Sequence, residues 1–273
     1  MSGLPRPVTA GGRAGLDALL AAPAGALIGS DFDGTLAPIV PDPGAAYAHP
    51  ESVAALRRLA GSVGTLAIIT GRPVAEAVRL GGLDGVPGII VLGHYGWERW
   101  ENGQVSAPAP PPGVEVVRRN LPGVLESAGA PEGTWIEDKG YALAVHTRRA
   151  ADPDGALARL RGPLETLAAG AGLTVEPGRM VIELRPPGMD KGAALTQLVA
   201  EREARSVMFC GDDLGDLPAF AAVRALRAAG TPGLSVCSAS PESAFPQKEA
   251  DLVVDGPDGI AALLTALADH VAR

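Results

Sequence analysis

The feature that most constrains the fold of this chain is a series of short apolar runs, each ending in a polar or glycine-rich turn. Continuous apolar runs are typical of strands that are buried on both faces of a parallel sheet. Alanine- and leucine-rich stretches with helical spacing lie between many of them. This alternation predicts an α/β fold with helices on both faces of a parallel sheet. The predicted strands are 26–29, 66–69, 89–92, 207–210, 234–237 and 252–254.

A middle segment has a different pattern. It follows a proline-rich stretch at 108–112 and ends at Pro186-Pro187-Gly188, two stiff punctuations that suit hinges. We expect a second, inserted α+β domain over 111–187, with residues 1–110 and 188–273 forming the first domain. The alternative is that the proline run is a surface loop within one domain. Inside the segment the pattern predicts, in order, helix 114–127, strands 134–139 and 141–148, helix 153–169, and strands 173–175 and 180–185.

Charge and cysteine content exclude several classes of protein. The formal charge of -8 across 273 residues repels extended polyanions, so we expect no nucleic acid partner. No stretch approaches the roughly 18 uninterrupted apolar residues of a membrane span, and we expect no membrane partner. Cys210 and Cys237 are too few for a disulfide framework, and neither has a neighbour at metal-ligand spacing. We therefore expect a cytoplasmic protein.

The most specific chemical signal is the D-F-D-G-T-L string that begins at Asp31, directly after the first apolar run. Ligands of an open parallel sheet bind beyond the carboxyl ends of its strands. Asp31 and Asp33 would repel each other there unless a cation were present. Mg²⁺ accepts hard oxygen ligands and resolves this conflict. For a bare D-x-D pair, solvated aspartates in a turn would be the first interpretation.

Three further positions change that balance. Thr70-Gly71-Arg72 follows the second predicted strand and precedes a helix, where a hydroxyl and backbone N–H groups form an anion site. Asp190 and Lys191 precede another helix. The string G-D-D-L-G-D follows a later strand and supplies three carboxylates, of Asp212, Asp213 and Asp216. Singly, each has an ordinary alternative as a cap hydroxyl, a solvated lysine or an acidic turn.

Together these residue types suit phosphoryl transfer, in which catalysis consists largely of positioning and neutralising charge. In this hypothesis Asp31 attacks phosphorus and forms an aspartyl-phosphate, while Asp33 acts as general acid and then as general base. Mg²⁺ is held by Asp31, Asp212 and the backbone carbonyl of Asp33, with Asp213 as a further candidate ligand. Thr70 and Lys191 hold the transferred group.

These residues resemble the four motifs of the haloacid dehalogenase-like phosphatase superfamily. Longer strings make the chain similar to the trehalose-6-phosphate phosphatase family over most of its length; they are D-F-D-G-T-L-A-P-I-V-P-D-P, G-H-Y-G-W-E, I-E-D-K-G-Y-A-L-A-V-H and E-L-R-P-P-G-M-D-K-G. The resemblance implies hydrolysis of trehalose 6-phosphate by a Rossmann-like core with a mobile cap. One departure is clear: Gly215 and Leu217 stand where the family commonly has threonine and glutamate.

The inserted domain has its own candidate residues. Alternation predicts that Met180, Ile182 and Leu184 pack on the helices of this domain, whereas Glu183 lies on the opposite, polar sheet face. Trp135, Glu137 and Lys139 share a face, which we assign to the same side. By the resemblance, Glu137, Lys139 and Glu183 bind sugar hydroxyls. The other candidate substrate-binding residues are Gly71, Arg72 and Arg148.

Other functions stay open at this point. The enzyme alternatives are a phosphatase for a sucrose or mannosyl phosphate, and a phosphotransferase that passes the phosphoryl group to a sugar. A catalytically silent sugar-phosphate-binding module is an alternative of another class, although such a module has no need of a paired nucleophile and acid. We expect a monomer that acts on a small sugar phosphate.

Overall fold

A computed structural model of the chain describes residues 3–178, 180–240 and 246–271. The chain divides into two compact units: Met1–Ala107 with Asp190–Arg273, called the core unit below, and Pro108–Met189, called the inserted unit. The strands are β1 (Ala26–Ser30), β2 (Thr65–Ile69), β3 (Ile90–Gly93), β4 (Glu98–Glu101), β5 (Gln104–Ser106), β6 (Trp135–Asp138), β7 (Leu143–His146), β8 (Thr174–Gly178), β9 (Val181–Arg185), β10 (Ser206–Gly211), β11 (Gly233–Ser238) and β12 (Leu252–Val254). The α-helices are α1 (Ala10–Ala21), α2 (Pro50–Leu59), α3 (Val74–Gly81), α4 (Pro112–Ser127), α5 (Pro153–Gly170), α6 (Lys191–Glu201), α7 (Leu217–Ala228), α8 (Pro246–Glu249) and α9 (Gly256–Val271).

The core unit is built on a mainly parallel sheet with the order β12-β11-β10-β1-β2-β3-β4-β5 in the described part of the chain. Strands β1–β3 and β10–β12 are parallel, and β4 and β5 add an antiparallel edge. All six strands predicted from apolar runs are present, which confirms the α/β assignment. Apolar clusters lie on both faces of this sheet, as continuous apolar strands require.

Strand order places the candidate site. The chain moves from β1 to β2 on one side and from β10 to β11 on the other, so the topology switches direction between β1 and β10. The carboxyl ends of two such neighbouring strands form the crevice in which open α/β sheets bind ligands. Asp31 directly follows β1, and Asp212 directly follows β10.

The inserted unit is an antiparallel sheet with the order β6-β7-β9-β8 and two helices. Its apolar core joins α4 and α5 to one sheet face, to which Leu143, Val145, Ile182 and Leu184 contribute. The predicted inward positions of Ile182 and Leu184 are confirmed. The prediction for Met180 was wrong: Met180 precedes β9 with a φ of 58°, because the chain turns there between β8 and β9.

None of the helices in the described ranges combines the length and the apolar character that a membrane crossing needs.

Candidate active site

Asp31 begins the site at the end of β1. Its backbone N–H donates to the carbonyl of Cys210 at 2.8 Å, which extends the pairing of β1 with β10 beyond the strand. The next residue, Phe32, is fully buried in the core unit. Asp31 is therefore held by backbone pairing on one side and by core packing on the other, with its side chain also buried.

Lys191 lies between two aspartates. Its ammonium Nζ is 2.8 Å from Oδ2 of Asp31 and 2.7 Å from Oδ1 of Asp216, and its side chain is 4% exposed. Lys191 is the first residue of α6, which Asp190 caps by accepting the N–H of Ala193 at 2.8 Å. Burial opposes the charged form of this lysine, but the adjacent carboxylates of Asp216 and Asp31 raise the pKa of Lys191 well above its usual value.

Asp216 organises the loop after β10. Its Oδ2 accepts the backbone N–H groups of Asp212 at 2.9 Å and of Asp213 at 3.1 Å, while its Oδ1 accepts from Lys191. Sequence reasoning noted this carboxylate but assigned it no role. The available signal was its position in G-D-D-L-G-D, because an aspartate five residues after the strand end can accept the N–H groups of the loop.

Asp31, Asp212 and Asp216 bring carboxylate oxygens within 4.8 Å of one another. Burial raises the pKa of Asp212 to about 8, and the nearby charges of Asp216 and Asp213 add to the shift. Burial also raises the pKa of Asp31 well above its usual range, even though Lys191 opposes the shift. A cation would offset this crowding of negative charge, and oxygen donors suit a hard divalent cation.

The hydrogen bonds of these three aspartates indicate which carboxylates have an oxygen available for a cation. Both oxygens of Asp216 already accept hydrogen bonds. One oxygen of Asp31 accepts from Lys191, and Oδ1 of Asp212 accepts from the Thr35 hydroxyl at 3.3 Å. Asp31 and Asp212 each have a second oxygen to offer a cation, so these two residues fit a metal better than Asp216 does.

Asp213 belongs to the loop that follows β10. Its Oδ1 accepts the N–H of Gly215 at 2.8 Å and caps the short turn Leu214–Asp216. In the described residues the group of carboxylates close enough to share a cation contains Asp216 rather than Asp213, and the role of Asp213 as a ligand stays a prediction. Gly215 still supplies this capped N–H, and Leu217 packs against the apolar cluster of the sheet face that α6 and α7 cover.

Asp33 is held by Arg72. Nε of Arg72 lies 2.6 Å from Oδ2 of Asp33, and Nη2 lies 2.7 Å from Oδ1, which is a two-point ion pair. The backbone N–H of Arg72 donates to the hydroxyl of Thr70 at 3.2 Å. A Cβ at Gly71 would lie 2.9 Å from the hydroxyl of Tyr95, so Tyr95 would have to move to make room for a side chain at this position. The structure thus links Arg72 directly to the D-x-D segment, and Thr70 through the backbone N–H of Arg72.

The inserted unit presents a polar sheet face. Nζ of Lys139 lies 2.7 Å from Oε2 of Glu183, and Nε2 of His146 lies 2.8 Å from Oε2 of Glu137. The His146 ring stacks on Trp135 with centroids 4.4 Å apart. Sequence reasoning gave His146 no role and did not consider Arg149, whose guanidinium lies 4.6 Å from the Trp135 ring centroid. Arg148 is exposed.

Comparison with known proteins resolves the family. The family model described as trehalose-phosphatase matches residues 30–251, which is most of the chain and includes every residue of the site described above. The chain belongs to the trehalose-phosphatase family. This assignment confirms the resemblance drawn from the sequence motifs.

Individual members support the family assignment. A trehalose-phosphate phosphatase of Mycobacterium marinum is 36% identical over 209 residues, which cover 71% of this chain and 50% of that protein. A solved trehalose-6-phosphate phosphatase related protein is 26% identical with a TM-score of 0.66, covering 89% of this chain and 97% of its own. The structure of the Aspergillus fumigatus trehalose-6-phosphate phosphatase has a TM-score of 0.73 at 24% identity. The match covers 97% of this chain and 99% of that one, and it supports the fold. The chain spans about half the length of the curated relatives it matches.

Gly34 allows the D-x-D segment after β1 to lie against Asp212, which follows β10. Its φ is 72°, and a Cβ there would lie 2.0 Å from Oδ2 of Asp212. We predict that Gly34→Ala displaces Asp212 and weakens the binding of a divalent cation, probed with MgCl₂ in calorimetric titration, by about tenfold or more. The matched control is Gly88→Ala, where φ is 67° and nothing lies within 4 Å of the added carbon. It should cost about 1–2 kcal/mol of stability from backbone strain and leave Mg²⁺ affinity unchanged. Equal Mg²⁺ affinity in both variants would show that Asp212 is not a ligand.

Proposed function

We propose that the chain hydrolyses trehalose 6-phosphate to trehalose and phosphate. The observation that carries this proposal is the placement of Lys191 between Asp31 and Asp216, beside Asp212, in a member of the trehalose-phosphatase family. A buried ammonium and paired carboxylates at one sheet edge suit a phosphoryl group, which needs positioned charges more than covalent chemistry.

The divalent cation in this proposal is Mg²⁺. Asp31 and Asp212 would hold it with the backbone carbonyl of Asp33. Asp216 would keep the loop after β10 in place by accepting the N–H groups of Asp212 and Asp213. Bound there, the cation supplies positive charge that lets an anionic phosphoryl group approach an anionic carboxylate. The fit rests on the clustered oxygen donors of three buried carboxylates; burial raises the pKa of Asp31 and of Asp212, and neighbouring carboxylates add to both shifts.

Each catalytic residue of the core unit has a distinct role in the proposed reaction. A carboxylate oxygen of Asp31 attacks phosphorus, the bond from phosphorus to the sugar oxygen breaks, and Asp33 gives its proton to that oxygen. Asp33 then removes a proton from water, which attacks phosphorus and releases Asp31 and inorganic phosphate. The ammonium of Lys191 orients Asp31 throughout, and the hydroxyl of Thr70 helps to hold the transferred group.

The polar face of the inserted unit is proposed to bind the sugar. Glu137, Lys139 and Glu183 offer donors and acceptors to hydroxyl groups, and Arg148 is a further candidate. A site that hydrogen-bonds several hydroxyls discriminates strongly, because a mismatched sugar leaves polar groups unpaired. We further propose that the protein is a cytoplasmic monomer; the two cysteines of the chain are buried free thiols, which suits a reducing compartment.

The test of the activity is release of inorganic phosphate from trehalose 6-phosphate, with MgCl₂ or with excess EDTA. We expect turnover with Mg²⁺, loss of turnover with EDTA, and recovery when Mg²⁺ is restored. Asp31→Asn should abolish turnover, because an amide cannot replace the nucleophilic carboxylate, and should leave the circular dichroism spectrum unchanged. Faster release of inorganic phosphate from a sucrose or mannosyl phosphate would contradict the assignment of trehalose 6-phosphate as the substrate. Full activity of Asp31→Asn would contradict the mechanism.

Sugar binding by the inserted unit is tested by comparing substrates. We predict that Glu137→Ala and Glu183→Ala lower kcat/KM for trehalose 6-phosphate by about tenfold or more and change 4-nitrophenyl phosphate hydrolysis much less. The control is Glu165→Ala, an exposed glutamate on α5, the helix that packs against the other face of this sheet. Equal losses on the two substrates would argue against a sugar-binding role for this face.

A further inference from the structure

Glu76 lies outside every role assigned so far, yet it contacts the residue that holds Asp33. It is in the first turn of α3, and its Oε1 accepts from Nη1 of Arg72 at 2.7 Å. The opposite edge of the same guanidinium makes the two-point ion pair with Asp33. Arg72 is thus fixed between two carboxylates, one from the D-x-D segment and one from a helix.

Packing restricts Arg72 further. Its side chain is 11% exposed, and its Cζ lies 5.6 Å from the centroid of the buried Phe32 ring. A planar guanidinium held on one ring face and bonded at both edges has little freedom to rotate. In contrast, the Asp33 side chain is 32% exposed and precedes Gly34, whose φ is 72°, so neither close packing nor a stiff following residue fixes it.

We propose that Glu76 is a positioning residue, which fixes Arg72 so that Arg72 holds the Asp33 carboxyl in the orientation needed for proton transfer to the leaving sugar oxygen. This inference rests on the proposed function, in which Asp33 is the general acid. Proton transfer requires hydrogen-bond reach, and a displacement of about 1 Å can cost orders of magnitude in rate.

Arg72 is expected from the sequence to bind substrate, and charge distinguishes the positioning role from direct binding of the phosphate. The guanidinium of Arg72 carries one positive charge, and the Glu76 carboxylate balances it even when Asp33 is protonated as the general acid. The group of three therefore carries no net positive charge with which to attract a phosphate dianion. In the described residues, the buried cation at the opposite side of the D-x-D segment is Lys191, which is better placed to meet the phosphoryl group. Arg72 then serves mainly to orient Asp33.

The leaving group provides the test. A sugar alkoxide needs a proton as it departs, whereas 4-nitrophenolate leaves as a stable anion and depends little on a general acid. The value of kcat/KM reports the steps up to departure of the leaving group. We would measure it on trehalose 6-phosphate and on 4-nitrophenyl phosphate for Glu76→Ala and Arg72→Lys. The matched control is Glu51→Ala, which removes an exposed glutamate from the first turn of α2.

We expect Glu76→Ala and Arg72→Lys to lower kcat/KM on trehalose 6-phosphate by about tenfold, within the range of general-acid contributions, and on 4-nitrophenyl phosphate by less than about twofold. Glu51→Ala should change neither. Equal losses on both substrates would assign Arg72 to phosphate binding, and no loss on either would remove Glu76 from the site; both results overturn the proposal. A wild-type chain inactive on both substrates would refute the proposed function itself, and this inference with it.

Discussion

The buried ammonium of Lys191 is the interaction on which the rest of the site depends. It bonds Asp31, which follows the first strand of the sheet, and Asp216, which folds the loop after β10. In the sequence, Asp31 precedes the inserted unit, whereas Lys191 and Asp216 follow it. The bonds of Lys191 therefore hold together the ends of β1 and β10, between which the topology changes direction. Removing one partner of such a buried pair costs about 3–5 kcal/mol, because the remaining charge is left uncompensated.

The same arrangement explains why a catalytic edge would need a cation. Lys191 bonds Asp31 and Asp216, and Asp212 lies beside them, so among these four residues three carboxylates stand against one ammonium. Burial raises the pKa of Asp212 and of Asp31, and the neighbouring carboxylates raise both further. A phosphate dianion would be repelled by the protein side chains taken alone. In the proposed mechanism, charge balance therefore links cation binding to substrate binding before any chemical step.

Much of this architecture was predictable because it depends on local patterns. Continuous apolar runs predicted the parallel strands, and D-F-D-G-T-L after the first run predicted carboxylates at a strand end. Alternation predicted that Ile182 and Leu184 pack inward. Met180 failed because alternation holds only within a strand, and this residue has the left-handed backbone conformation of a turn.

The remaining features depend on contacts between distant residues, which periodicity does not encode. Asp213 and Asp216 are both acidic and three residues apart, and only the folded loop separates a capping carboxylate from one that receives a buried lysine. Arg72 follows an anion-site pattern, but its guanidinium pairs with Asp33 and with Glu76, which lies four residues later in the first turn of α3. In both cases a pattern indicated the right region, and pairing of charges decided the role.

The most direct test of this account is the position of a bound cation. Crystals grown with MnCl₂ and measured at the manganese absorption edge would locate the ion by its anomalous scattering. The account predicts one strong peak coordinated by carboxylate oxygens of Asp31 and Asp212, with Lys191 still bonded to Asp31 and Asp216. A peak at another place in the core unit, or the absence of any peak at the ends of β1 and β10, would contradict it.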